Sequence, residues 1–169
     1  EVQERDPGLF GVGLGLTNER DAGEGFFEDI TYRGYGRVSY RNLFGTGRGV
    51  EGRVDLQYTN DPEIDFLENT ITFGYLEPYI LGGHNRGRIN LTREQKVFSK
   101  SEASPPVVLV QERNAIDLLV ERNLTRHLKL THTFWGFANQ RRFNRHNKLT
   151  EDEENIAKVG PRFELDFRD

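Results

Sequence analysis

Three glycines at alternate positions, Gly11, Gly13 and Gly15, are the first residues whose spacing could do chemistry, because glycine-rich loops let backbone N–H groups close on a phosphate. That use needs a helix to follow the glycines, and no helical period follows these. His84, His127, His132 and His146 are far apart in the chain, which reads as surface histidines and not as a metal site. The run Glu151-Asp152-Glu153-Glu154 could attract a cation, but its ordinary reading is an acidic, solvated loop within 141–155. Gly45, Gly47 and Gly49 read as turn glycines. Cysteine is absent, which removes thiol nucleophiles, zinc-thiolate sites and disulfides together. No Ser/His/Asp arrangement suggests nucleophilic catalysis. The expectation is a chain that is not an enzyme and carries no cofactor and no metal.

If side-chain chemistry is not the function, the elements themselves must be. Of 169 residues only 35% are hydrophobic and 30% are charged, yet there are 18 glycines, 12 Phe and 6 Tyr. That is too aromatic for a typical disordered chain and too polar for a generous core. No window approaches the roughly 20 consecutive apolar residues of a membrane helix. A membrane strand needs only about 9–11 residues of alternating character, so a polar average is compatible with a membrane barrel. The net charge of -4 provides no basic footprint, and no nucleic acid is expected as a partner. Glu1 is not followed by a charged and then apolar leader, so any export signal lies outside the sequence or has been removed.

Period two recurs along the chain. Phe10, Val12, Leu14 and Leu16 alternate with Gly11, Gly13, Gly15 and Thr17; Tyr32, Val38 and Tyr40 alternate with Arg33, Arg37, Ser39 and Arg41. Val50, Val54, Leu56 and Tyr58 oppose Glu51, Arg53, Asp55 and Gln57, and Ile71, Phe73 and Tyr75 oppose Thr70, Thr72 and Gly74. Ile89 and Leu91 oppose Arg88, Asn90 and Thr92, whereas in the segment after Ile116, Leu119 breaks the polar side. The stretch from Leu130 to Phe137 is the least regular, and Ala157 to Phe167 is among the cleanest. The pattern predicts about eight strands near 9–18, 30–44, 50–60, 67–80, 86–98, 107–124, 129–140 and 156–167. Short turns at 45–47, 82–85 and 126–127 alternate with longer polar loops at 19–29, 60–66, 99–106 and 141–155, the asymmetry of an outer-membrane barrel. The fold class expected is all-β, an antiparallel transmembrane β-barrel or a segment of one.

Periodicity alone does not say which face meets lipid, since a soluble carrier barrel also alternates with its apolar face inward. Interleaved charges, Arg33, Arg37 and Arg41 on one strand against Glu51, Arg53 and Asp55 on the next, suit a polar lumen in which they pair across strands. Tyr32, Tyr40, Phe44, Tyr58, Phe66, Tyr75 and Tyr79 fall towards strand ends, as interfacial aromatics do.

With strands placed, Leu9-Phe10-Gly11-Val12-Gly13-Leu14-Gly15, the turn Tyr40-Arg41-Asn42-Leu43-Phe44-Gly45-Thr46-Gly47, Glu77-Pro78 before Gly82, and Val159-Gly160-Pro161-Arg162-Phe163 with Phe167-Arg168-Asp169 resemble, in order, the outer-membrane protein assembly factors, the BamA/TamA-like family. In that family a barrel of sixteen strands follows periplasmic POTRA domains. The resemblance therefore implies that residues 1–169 are one barrel domain, the N-terminal half of a larger barrel, with the POTRA domains not in this chain. It implies an integral protein of the bacterial outer membrane whose partners are the lipid bilayer, nascent outer-membrane proteins and periplasmic or lipoprotein assembly subunits. It also implies a lateral gate, in which the edge of the first strand, Phe10, Gly11, Val12, Gly13, Leu14 and Gly15, templates an incoming strand. A plainer use of those glycines is a wall thinned to admit side chains from the lumen. Two other readings stay open: a small closed eight-stranded outer-membrane barrel with a pore or structural role, and a soluble lipid-carrier barrel. Pro161, which cannot donate to a ladder, prefers an edge or a bulge and argues against closure at that strand.

Overall fold

The computed structural model describes residues 7–18, 30–59, 67–80, 83, 85–100, 107–125, 128–145 and 150–165. Alternating apolar and polar residues leave one face of each segment unable to stand alone, and the chain resolves this by adding strand to strand. Among the described residues eight strands form: β1 Gly8–Asn18, β2 Ile30–Leu43, β3 Arg48–Thr59, β4 Glu68–Glu77, β5 Asn85–Lys100, β6 Val107–Asn123, β7 Leu128–Asn144 and β8 Thr150–Leu165. They lie in chain order in one antiparallel sheet, a meander in which every neighbour in sequence is a neighbour in space. Among the described residues β1 pairs only with β2 and β8 only with β7.

The β2–β3 turn shows how local sequence sets register. Asn42, Phe44, Gly45 and Gly47 all have positive φ, at 68°, 55°, 71° and 74°. Asparagine tolerates that region because its short amide can bond locally, and here its Oδ1 accepts from the Gly47 N–H at 2.8 Å. The glycines accept it because they have no Cβ. The reading of Gly45 and Gly47 as turn glycines holds, but Gly49 sits inside β3, facing Leu76 across the ladder.

Strand boundaries follow the predicted ones closely from β1 to β6, β4 ending three residues early, and depart at the β7–β8 hairpin. The loop read at 141–155 is mostly strand: β7 runs to Asn144, β8 begins at Thr150, and the acidic run lies on β8. Opposite charge accounts for the difference. Arg141 and Arg142 on β7 face Glu153 and Asp152 in the ladder, so the acidic run extends the hairpin as strand, while Asp152, Glu153 and Glu154 stay exposed to solvent. The expected contrast in connections is therefore weaker than read. Residues 19–29 and 60–67 are longer than the turns at 44–47 and 124–127, but 145–149 is not much longer than these, and 78–84 is as long as most. The irregular stretch in β7 has a structural cause, a register shift between Thr133 and Gly136 that breaks period two. Pro161 on β8 lies beside that shift, on the last strand of the sheet.

Cross-strand register defines two faces. One row runs Phe10, Val38, Gly52, Phe73, Leu91, Ile116, Phe137, Ala157, and the row beside it, pointing the other way, runs Gly11, Arg37, Arg53, Thr72, Thr92, Ala115, Ala138, Ile156. Large apolar side chains on the first face are exposed, Leu14 at 96% and Phe10 at 74% among them. The polar face lines a cavity of about 850 Å³ whose walls include Arg37, Arg53, Arg88, Glu51, Asp55 and Asp117. Among the described residues buried apolar side chains are few: Val97, Val108, Leu109 and Val110 at the loop end of β5 and β6, and Ala138 on β7.

Candidate functional site

The first strand carries the residues singled out from sequence, and all six lie on it as expected: Phe10, Val12 and Leu14 on the apolar face, Gly11, Gly13 and Gly15 on the other. An antiparallel ladder uses about half of a strand's N–H and C=O groups on each side. On the side of β1 away from β2 they meet no strand among the described residues.

The three glycines are not equivalent. Tyr35 on β2 stands opposite Gly13, and its ring lies where a Cβ on residue 13 would be. This is the plainer use of glycine, a gap filled by a neighbour's aromatic ring. Around Gly11 and Gly15 nothing approaches within 4 Å of a Cβ position. Their lack of side chains leaves a bare strip along the polar side of the edge. Tyr35 is held in turn, with the Arg53 guanidinium 6.0 Å from its ring centroid. Arg53 grips Asp55 through two bonds of 2.7 and 2.8 Å. A line of contacts thus runs from β3 to the first strand.

Part of the interleaved charge on the polar face pairs across strands. Arg37 donates to Glu51 at 2.9 Å, and Lys96 reaches Glu68 on β4 at 3.6 Å as well as Glu94 on its own strand at 2.7 Å. Lys158 on β8 reaches Asp117 on β6 at 2.8 Å, passing over β7 at Gly136. A Cβ at position 136 would stand 2.6 Å from the lysine Cε and 2.8 Å from Asp117 Oδ1, so any larger residue there forces the bridge to shift. At the turn end, Glu77 accepts from Arg48 and from the Tyr75 hydroxyl, each at 2.8 Å, tying the start of β3 to the end of β4.

Residues missed in sequence lie on the apolar face above its hydrophobic part. Asn69, Gln95, Glu112, Arg141 and Glu153 form one cross-strand row, and Arg93, Asn114, Asn139 and Asn155 form the next. Glu112 is the centre of this group, its side chain only 8% exposed. It accepts from Gln95 at 2.5 Å and from Arg141 Nε at 2.8 Å, with Arg93 at 3.7 Å. The available signal was a parity error: polar residues at positions where the strand pattern called for apolar ones.

These polar rows reveal how the apolar surface runs. On β1 the apolar stretch Phe10 to Leu16 extends from the reference row toward the loop end, whereas on β8 Ala157, Val159 and Phe163 extend from it toward the turn end. The belt crosses the strands obliquely. Its centre slips by about six residues, or about 20 Å, over seven strand spacings of about 4.8 Å each, which is a slope of about 30°. A horizontal belt on a barrel whose strands tilt by roughly 35–45° has nearly this slope.

Of the histidines, His84, His127 and His146 lie outside the described residues, as does the side chain of His132. Among the described residues no group of three His, Cys, Asp or Glu side chains could hold a metal ion. No helix among them is long and apolar enough to cross a membrane, which says nothing of strands. Comparison with known protein families, with characterised proteins and with solved structures finds no match to this chain.

Proposed function

We propose that this chain is the wall of an integral outer-membrane β-barrel of the assembly type, in which the apolar belt faces lipid, the charged concave face borders water, and the free edge of β1 pairs with an incoming strand of a nascent outer-membrane protein. The oblique belt is the observation that carries the reading. A soluble sheet has no reason to align exposed Leu, Val and Phe side chains in a band whose slope compensates strand tilt, and exposed apolar patches of this extent mark an interaction surface. A carrier barrel would need its apolar side chains around the cavity, where Arg, Glu and Asp stand instead. The edge of β1, with Gly11 and Gly15 bare, is suited to β-augmentation because backbone bonds form without displacing side chains.

The sole tryptophan, Trp135, is 45% exposed and stacks on Phe137 within the belt, which makes it an intrinsic probe. In vesicles made with acyl-brominated lipids its fluorescence should be quenched, and aqueous iodide should reach it poorly. Efficient iodide quenching with no effect of bromine would remove the membrane reading. For the gate, deletion of residues 9–17 should abolish insertion of a client barrel while Trp135 stays lipid-quenched; full insertion activity in that deletion would dismiss the templating role.

A further inference from the structure

The charged cavity on the concave face has more cations than it can use. Its lining includes Arg37, Arg41, Arg53, Arg86 and Arg88 against Glu51, Asp55 and Asp117. All three carboxylates are already engaged, Glu51 by Arg37, Asp55 by Arg53 and Asp117 by Lys158 from outside the lining. The guanidinium groups of Arg41, Arg86 and Arg88 meet no ion-pair or hydrogen-bond partner among the described residues; the Arg41 backbone N–H donates to the Pro7 carbonyl. Two further donors are orphaned: Arg37 Nε and Ser39 Oγ are buried without a partner, and Ser39 is only 6% exposed. A buried polar group left unbonded is uncommon and calls for an explanation.

We infer that this cavity, at the turn end of β2 to β5, binds a ligand carrying phosphate or carboxylate oxyanions. Guanidinium and hydroxyl donors turned into one space are the complement of such a group. The floor between them is kept low by Gly49 and Gly74, and a Cβ at position 74 would stand 3.2 Å from Asn90 Oδ1. Arg41 and Arg88 belong to one cross-strand row, Arg41, Gly49, Leu76, Arg88, three strand spacings apart. Measured along the wall that is about 14 Å. The spacing favours a ligand with several oxyanions over a single small one. The site does not depend on the membrane reading, because every residue invoked faces away from the apolar belt.

The test is calorimetric titration of the full chain, in detergent micelles, with tripolyphosphate in one arm and with an extended Glu-rich peptide in the other, the Gln-for-Glu peptide serving as control. Binding in either arm that weakens at least about tenfold in the double variant Arg41→Gln, Arg88→Gln, and that falls as salt is raised, supports the site. The tighter arm identifies the source of the oxyanion. Arg33→Gln removes a cation from the same face of β2 outside the cavity and should leave binding unchanged. Trp135 fluorescence checks the fold of each variant, so loss of the site and loss of membrane insertion are read separately. No binding in either arm, or equal loss with Arg33→Gln, overturns the assignment.

Discussion

Replacing Arg141 with Met removes the principal partner of a carboxylate that has little access to water. The Glu112 side chain is 8% exposed, whereas that of Arg141 is 49% exposed, so the damage falls almost wholly on the acid left behind. Breaking a buried pair by deleting one partner costs about 3–5 kcal/mol when nothing else compensates. Here Gln95 still donates at 2.5 Å and Arg93 remains at 3.7 Å, which brings the expected loss to about 2–3 kcal/mol. The guanidinium also lies 5.5 Å from the Phe143 ring centroid, a contact at an exposed site worth about 0.5–1 kcal/mol. Urea unfolding of the reconstituted chain, followed by Trp135 fluorescence, measures the total. The companion variant Glu112→Gln keeps the hydrogen-bonding shape and removes the buried charge. In the double variant the loss should therefore be smaller than the sum of the two singles by about 1–2 kcal/mol. A single-variant loss below about 0.5 kcal/mol, or strict additivity, would falsify the account of Glu112 as an acid held by register between β5, β6 and β7.

Other perturbations separate the parts of the design. Tyr35→Ala uncovers Gly13 and should speed hydrogen exchange of the amides from Phe10 to Leu16 by about tenfold while leaving β4 to β6 protected; uniform exchange changes would mean that Tyr35 does not hold β1 in particular. Gly136→Val drives the Lys158 side chain off its path and should lower stability by about 1–3 kcal/mol, and Lys158→Met should then add little to it; full additivity of the two would deny the bridge to Asp117. Leu14→Arg places a charge on the apolar belt and should disfavour membrane insertion by up to about 2–4 kcal/mol, whereas Gly15→Ser on the opposite face should leave insertion unaffected; equal effects would erase the distinction between faces.

Much of this architecture is legible in the chain because side chains of a strand alternate between two faces whatever the strand pairs with. The number of strands, most strand ends from β1 to β6 and the assignment of Arg37, Glu51, Arg53 and Asp55 to one face all follow from period two. The acidic run was misjudged for a definite reason. A cluster of carboxylates looks like a loop until Arg141 and Arg142 are known to stand across the ladder from it, and that is a matter of register; the exposure of Asp152, Glu153 and Glu154 was read correctly. The same holds for Glu112, whose partners Gln95 and Arg141 are 17 and 29 residues away.

The amino-acid pattern by itself determined an all-β chain with one apolar and one charged face, since alternation is a local property that each segment carries alone. Tertiary structure decided what no segment contains: that the charged face is the one lining a cavity, that Tyr35 lies over Gly13 and Lys158 over Gly136, and that the apolar belt runs oblique to the strands. These depend on how far each strand slides against the next. A slide of one residue would exchange the faces, so the position of every partner is set by the ladder as a whole and by no strand in isolation.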